Sequence, residues 1–192
     1  MSGIQVACAL LAAGASRRFG ANKLLYPIGG RTMLERALML HAGLPYCRRL
    51  IVTRRDFTEA ALAEGYGFSV LLNEAPERGM GSSVAVAAAE LLQADVDGAL
   101  FAVCDQPFLR AAAVERLLED FCGAPDRIVS LACGGERGNP CVFPGDLLPE
   151  LAALDGDGGG AAVIARHRAR LVLTQIEDAA QLKDIDTPPE GL

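Results

Sequence analysis

Short apolar runs alternate with longer helix-forming segments along the whole of this 192-residue chain. Each apolar run is bounded by turn-forming residues, which predicts buried β-strands over residues 6–11, 49–53, 68–72, 98–103 and 127–132. Further extended segments are predicted at 140–143, 171–175 and 183–186. The intervening segments predict helices at 32–43, 58–64, 84–92, 111–121, 147–154 and 161–167.

The clearest helix start lies at Thr32. Thr32 and Glu35 stand three residues apart and form a capping box, which satisfies two backbone N–H groups at a helix N-terminus. Gly43 and Pro45 supply the stop signal at the other end.

Strands that alternate with helices over the full length predict an α/β fold. We expect a single domain of residues 1–192 with a mostly parallel sheet and helices on both faces. In such folds ligands bind at the carboxyl ends of the strands, near a topological switch point. We therefore expect three segments to lie at the same edge of the sheet: the loop after the first strand, the turn at 79–83 and the residues that follow the fourth strand.

Composition and charge exclude several classes of protein. The formal net charge of −6 argues against nucleic-acid binding, and no apolar stretch is long enough for a transmembrane helix. The six cysteines are scattered without a CxxC pair, so they indicate neither a zinc site nor a redox dithiol. We expect most of them to be reduced and buried, as in a cytoplasmic protein.

A cationic, glycine-containing loop follows the first predicted strand and ends at Lys23. Its free N–H groups and positive side chains suit a polyphosphate, whereas the alternative is a surface turn with solvated charges. A P-loop is excluded, because five residues separate Gly14 from Gly20 and no lysine follows Gly20 directly. A dinucleotide fingerprint is also excluded, because position 84 is valine where a third glycine is required after Gly79 and Gly81.

Asp105 comes directly after the fourth predicted strand, so its carboxylate is expected to project into the ligand crevice. A carboxylate together with phosphates is the usual means of holding Mg²⁺. The alternative is that Asp105 caps the following turn.

Ser82 and Ser83 open the alanine-rich helix and are candidate N-caps. The preceding glycines, Gly79 and Gly81, would also let the backbone approach a ligand closely.

Two further stretches have turn chemistry. Arg137-Gly138-Asn139-Pro140 is predicted to be a loop between extended segments. The glycine-rich stretch 156–160 is predicted to be a flexible turn whose N–H groups could hold an anion.

His41 and His167 have no triad-like partner motif and are interpreted as structural.

The pattern Leu11-Ala12-Ala13-Gly14-x-Ser16-x-Arg18-x-Gly20-x-x-Lys23 resembles the signature of the MobA-like nucleotidyltransferases. Within that superfamily the chain most resembles the molybdenum cofactor cytidylyltransferases. Four further stretches carry this resemblance: Gly79-Met80-Gly81-Ser82-Ser83, Cys104-Asp105-Gln106-Pro107, Arg137-Gly138-Asn139-Pro140 and Asp184-Ile185-Asp186-Thr187-Pro188.

The resemblance implies a Rossmann-like three-layer sandwich of the nucleotide-diphospho-sugar transferase type. It also implies transfer of a nucleoside monophosphate to a phosphorylated acceptor, with Mg²⁺ as cofactor and pyrophosphate as product. The implied catalytic residues are Arg18, Lys23 and Asp105, and the implied metal ligands are Asp105 and Asp186. The implied nucleotide-binding residues are Leu11, Ala12, Ala13, Gly14, Arg18, Lys23, Gly79, Ser82 and Ser83, and the implied acceptor-binding residues are Arg137 and Asn139.

Leu11-Ala12-Ala13-Gly14 replaces the Leu-Ala-Gly-Gly of the guanylyltransferase branch, so the resemblance favours CTP as donor and molybdopterin as acceptor. A molybdoenzyme that receives the product is an expected transient partner. One alternative is another nucleotide or another small phosphorylated acceptor, because Asp157 is followed by glycines and alanines where relatives often have an arginine. A second alternative is a non-catalytic cofactor carrier or chaperone for a molybdoenzyme.

Overall fold

The computed structural model describes residues 3–14 and 22–187 of the chain. The strands within these ranges are β1 (Val6–Leu11), β2 (Pro27–Ile28), β3 (Arg31–Thr32), β4 (Arg48–Thr53), β5 (Ser69–Leu72), β6 (Gly98–Val103), β7 (Ile128–Cys133), β8 (Glu136–Pro144) and β9 (Leu171–Ile176). The α-helices are α1 (Met33–Ala42), α2 (Ala60–Gly65), α3 (Met80–Leu91), α4 (Ala111–Gly123), α5 (Leu148–Ala152) and α6 (Ala161–Arg166). Short 3₁₀ turns lie at Lys23–Leu25, Pro76–Arg78, Gly145–Leu147, Arg168–Arg170 and Ala179–Leu182.

Seven strands form one sheet in the order β5-β4-β1-β6-β8-β7-β9, and β2 pairs with β3 in a separate hairpin. All the strands of the large sheet are parallel except β8, which runs antiparallel to both of its neighbours. The chain therefore forms a single, mostly parallel α/β domain, as the alternation of strands and helices predicts.

Two hydrophobic layers cover the two faces of the sheet. On one face, alternate residues of β1 pack with apolar side chains of α1, α2 and α4, and on the other face they pack with α3, α5 and α6. Helix α1 begins where the capping box predicts, because Thr32 Oγ1 accepts a hydrogen bond of 3.1 Å from Glu35 N. The predicted fold class and the arrangement of helices on both faces are confirmed.

The position of β1 determines where the ligand crevice lies. The chain leaves β1 to form β4 and β5 on one side, and it later returns to place β6 on the other side. The carboxyl ends of β1 and β6 therefore border a topological switch point, where open α/β sheets bind ligands.

The prediction of a loop at 137–140 is wrong. Arg137 and Asn139 lie within β8, a nine-residue strand that pairs with both β6 and β7. The sequence suggested a turn because Gly138 and Pro140 are turn formers, but long-range pairing outweighs this local preference.

The 183–186 segment, predicted to be extended, belongs to no strand. No helix in the described ranges is long and apolar enough to cross a membrane.

Three of the six cysteines do not follow the expectation that they are buried. Cys8, Cys104 and Cys141 are buried, whereas Cys47 and Cys122 are exposed and Cys133 is half-buried. None of the six forms a disulfide.

Candidate active site

A cavity of about 650 Å³ opens at the carboxyl ends of β1 and β6. It contains most of the residues that the sequence assigned to nucleotide and metal binding. The described residues that line it are Leu11, Ala12, Ala13, Gly14, Lys23, Leu24, Pro76, Glu77, Gly79, Met80, Ser83, Val103, Cys104, Asp105, Asp157, Asp184 and Asp186.

The end of β1 forms one wall of this cavity. Ala12 and Ala13 are buried, and Ala12 N donates a 2.8 Å hydrogen bond to Val52 O of β4, which fixes the chain as it leaves the sheet. Gly14 is exposed. Arg18, predicted to be catalytic, lies outside the described residues.

Lys23 is held in place by a short 3₁₀ turn. Asn22 caps that turn by accepting a 3.2 Å hydrogen bond from Leu24 N, and the buried side chain of Leu24 anchors it to the core. The Lys23 ammonium then donates to Asp105 Oδ2 at 2.5 Å and to Asp186 Oδ1 at 3.0 Å. Burial acts to lower the pKa of Lys23, but hydrogen bonding and charge from Asp105 and Asp186 outweigh it and raise this pKa above its ordinary value.

Asp105 follows β6 directly and binds the C-terminal segment through its backbone. Its carbonyl oxygen accepts a 3.0 Å hydrogen bond from Ile185 N, which places Asp184 and Asp186 at the cavity. Gln106 supports the same segment, since its Nε2 donates to Leu182 O at 3.0 Å and to Asp184 Oδ1 at 2.9 Å. Burial, followed by the charge of Asp105, raises the pKa of the Asp184 carboxyl.

The described part of the lining is acidic, and the arginines of the predicted cationic loop lie outside the described residues. Lys23 is the only basic residue among the described lining residues. The acidic ones are Glu77, Asp105, Asp157, Asp184 and Asp186. A triphosphate fits such a surface only together with cations, because bare phosphates would be repelled by the carboxylates.

The residues at this site fit a magnesium ion. Asp105 Oδ1 is buried and has no hydrogen-bond partner within residues 3–14 and 22–187. The other oxygen of Asp105 shares one ammonium with Asp186, so both carboxylates reach a single small cation. No cluster of three or more His, Cys, Asp or Glu residues suited to a metal occurs in the described ranges. Mg²⁺ does not require one, since it commonly takes one or two carboxylates and completes its shell with phosphate and water.

Gly79 and Gly81 make room for another part of the chain, and Gly79 also lines the large cavity. Gly79 has φ +93°, and a Cβ there would lie 2.7 Å from the Gly156 carbonyl carbon and clash with the Asp157 carboxylate. Gly81 N donates to Gly156 O at 2.8 Å, and Arg78 pairs with Asp155 through two hydrogen bonds. The predicted flexible turn at 156–160 is therefore packed against the start of α3.

Ser82 and Ser83 lie inside the first turn of α3, and the N-cap is Gly79 instead. Both serines are buried. Ser83 lines the large cavity, whereas the Ser82 hydroxyl is directed at the protein, within 2.8 Å of Gly79 O. The structure thus brings Ser83 to the site and separates Ser82 from it.

The predicted acceptor residues line a second, smaller cavity of about 130 Å³. Arg137 and Asn139 supply its polar groups, and Phe101 and Phe143 form part of its apolar wall with their rings edge to face at 5.8 Å. This cavity adjoins the larger one, because Leu11, Met80 and Val103 line both.

A sequence model of the MobA-like NTP transferase domain matches residues 8–171. The chain belongs to this family. It is 30% identical to the purine catabolism protein PucB of Bacillus subtilis (strain 168), a match that covers 94% of this chain and 91% of that protein. The superfamily resemblance is confirmed, while the molybdenum cofactor branch remains a prediction.

Two solved structures of Rv0371c from Mycobacterium tuberculosis H37Rv share the fold. The first superposes with a TM-score of 0.82 and 24% identity, covering 97% of this chain and 95% of that one. The second, a complex with manganese, has a TM-score of 0.73 and 21% identity, covering 91% and 89%.

Sequence reasoning missed several residues of this MobA-like site. Gln106 and Asp184 stand inside the quoted motifs, but no role was assigned to them. Asn73 does not line the cavity itself but donates a 3.0 Å hydrogen bond to Ser83, which does. A polar residue directly after a predicted buried strand was the available signal for Asn73, and it is the same signal that identified Asp105.

Proposed function

We propose that this MobA-like protein transfers CMP from CTP to a molybdopterin-type acceptor, with Mg²⁺ as cofactor and with release of pyrophosphate. The observation that supports this most strongly is the placement of Lys23 between Asp105 and Asp186 at the switch-point cavity. A metal-bound triphosphate needs carboxylates that can hold the metal and a cation that can bind phosphate oxygens, and these groups meet here.

The residues act by holding and neutralising charge. Attack by an acceptor phosphate on the α-phosphorus of CTP brings two anions together, so the barrier falls when cations are fixed in advance around them. Lys23 supplies a fixed ammonium, and Arg18 is the second expected cation. Asp105 and Asp186 would hold Mg²⁺, which when bound neutralises phosphate oxygens. No side chain is needed as a nucleophile.

The presence of two adjoining cavities is consistent with the binding of two substrates. CTP would occupy the larger one, with its phosphates near Lys23 and its base toward Leu11-Ala12-Ala13-Gly14 and Ser83. The acceptor would occupy the smaller one, beside Arg137 and Asn139. A guanidinium and an amide are suited to an anionic or carbonyl-bearing acceptor. The manganese complex of Rv0371c supports a divalent metal in this fold.

The test is release of pyrophosphate by the purified chain with Mg²⁺, each of the four nucleoside triphosphates and molybdopterin. We expect release chiefly with CTP and only when acceptor and Mg²⁺ are present. Equal or greater release with GTP would contradict the cytidine assignment.

Another small phosphorylated acceptor is the second candidate, because glycines and alanines, and no arginine, occupy positions 158–162 directly after Asp157. The name of the Bacillus relative places that protein in purine catabolism without identifying an acceptor. Screening phosphorylated acceptors with CTP and GTP separates these candidates. A carrier that passes cofactor to a molybdoenzyme would bind the product but release no pyrophosphate under any of these conditions.

A further inference from the structure

Asn73 directly follows β5 and makes a buried contact with the start of α3. Its side chain is 3% exposed, and its backbone N donates to Thr53 O at 2.8 Å. The side-chain oxygen accepts a 3.0 Å hydrogen bond from Ala75 N. Because a backbone N–H can only donate, this contact fixes which end of the amide is oxygen and which is nitrogen.

The Asn73 nitrogen must therefore face the serines. Its two protons are donated to Ser82 Oγ at 2.8 Å and to Ser83 Oγ at 3.0 Å. Each serine oxygen thus accepts one hydrogen bond, and each hydroxyl proton has to point elsewhere.

The two hydroxyl protons have different destinations. Ser82 can donate to Gly79 O at 2.8 Å or to Ala75 O at 3.2 Å. For Ser83, no acceptor of its proton occurs among the described residues. Ser83 is only 6% exposed, yet it lines the large cavity. A donor that lines a cavity and has no acceptor among the described residues can donate to a bound ligand, and a ligand that seals the cavity must offer it an acceptor because an unpaired buried donor is costly.

The sheet order indicates which part of a nucleotide would meet Ser83. Asp105 follows β6 on one side of β1, whereas Asn73 follows β5, two strands from β1 on the other side. If the phosphates lie beside Lys23 and Asp105, the base extends toward Ser83.

We infer that Asn73 is a positioning residue that makes Ser83 an obligatory hydrogen-bond donor to a carbonyl oxygen or ring nitrogen of the nucleotide base. The inference rests on the proposed function, because it takes a nucleoside triphosphate to be the ligand of the large cavity. Ser83 then favours a base that presents an acceptor at this point and disfavours one that presents an amino group.

Calorimetric titration of the intact protein with CTP and Mg²⁺ tests this inference. Ser83→Ala should weaken CTP binding about 5- to 10-fold, which is the usual effect of losing one neutral hydrogen bond. Ser82→Ala is the matched control, because this hydroxyl shares the same amide but faces the protein, and it should leave CTP binding within twofold.

Asn73→Asp tests the positioning role. An aspartate keeps the acceptor for Ala75 N but accepts the Ser83 proton instead of donating to Ser83, so CTP binding should weaken at least as much as in Ser83→Ala. In a Ser83→Ala background the same substitution should cost nothing further. Additive losses in the double variant, or equal losses in Ser82→Ala and Ser83→Ala, would overturn the inference.

Ribose 5-triphosphate, which lacks a base, is the second probe. Its binding should be the same in Ser83→Ala and in the parent protein, and an equal loss with both ligands would show that Ser83 does not contact the base. Thermal melting of each variant confirms that it is folded. Failure of the parent protein to bind any nucleoside triphosphate would contradict the proposed function, whereas CTP binding that no variant alters would contradict only this inference.

Discussion

Lys23 Nζ donates a 2.5 Å hydrogen bond to Asp105 Oδ2, and the two residues are 82 positions apart in the chain. This contact joins the loop after β1 to the end of β6 across the switch point. Asp186 joins the same ammonium at 3.0 Å, so three distant parts of the chain meet at one charge. A single substitution at Lys23 would therefore affect both the proposed triphosphate ligand and the carboxylates that face the ammonium.

Lys23→Met should weaken binding of a non-hydrolysable CTP analogue about 10- to 100-fold, since a hydrogen bond to a charged group contributes about 1.5–3 kcal/mol. Methionine keeps the length of the side chain and removes the charge. Calorimetry in the presence of Mg²⁺ measures the effect. Lys183→Met is the matched control, because Lys183 is exposed and does not line the cavity. Equal binding by both variants would exclude Lys23 from the triphosphate site.

Gly79→Ala should destabilise the fold by more than backbone strain alone. An alanine Cβ at Gly79 would meet the Gly156–Asp157 backbone, in addition to the strain of φ +93°. Gly67→Ala is the control, since Gly67 has φ +81° and no atom within 4 Å of an added Cβ. We expect Gly67→Ala to lower the free energy of unfolding by about 1–2 kcal/mol and Gly79→Ala to lower it further, as measured by urea denaturation. Equal losses would show that the 155–157 turn can move away from the added Cβ without lowering the free energy of unfolding.

Arg137→Gln should raise the KM for the acceptor while leaving CTP binding unchanged. Arg137 lines the smaller cavity and does not line the larger one. Loss of one charge-assisted hydrogen bond predicts a rise in KM of about tenfold or more. Steady-state kinetics with varied acceptor, together with calorimetry for CTP, separates the two effects. An unchanged acceptor KM with weakened CTP binding would contradict this placement of the two substrates.

His41 should make stability fall as the pH is lowered below about 6.5. Burial lowers its pKa to about 3, so between these values the unfolded chain binds a proton that the folded chain does not. The folded state is then favoured above pH 6.5, and its free energy of unfolding should fall by about 1.4 kcal/mol per pH unit below it. Urea denaturation of the parent and of His41→Gln at pH 7.0 and 5.5 measures this. The variant should have the smaller loss, and equal losses would contradict the assignment.

The parallel strands of the large sheet were predictable because each run is short, largely apolar and bounded by turn residues, whereas the two-residue strands β2 and β3 were not predicted. The capping box at Thr32 predicted the start of α1 for a similarly local reason. In contrast, β8 depends on pairing with β6 and β7, which no local pattern encodes, so the turn formers Gly138 and Pro140 suggested a loop.

The site was predictable where a polar residue follows a buried strand, as Asp105 does. Its partners were harder to assign, because Lys23 and Asp186 meet Asp105 only through the tertiary fold. Gly79 and Gly81 are a second case in which the sequence does not identify the contact partner. Their sequence predicts close approach of some group, but only the fold shows that the group is the 155–157 turn.

Release of pyrophosphate from CTP by the parent protein and by Asp105→Asn, with Mg²⁺ and molybdopterin, tests the proposed function most directly. Asparagine keeps the size of the side chain but removes the charge that faces Lys23 and would hold the metal. We predict acceptor-dependent release by the parent protein and a loss of at least about 100-fold in the variant, the usual scale for removing a fixed electrostatic contact. Equal release by both proteins, or no release by the parent under any of these conditions, would contradict metal-assisted cytidylyl transfer at this site.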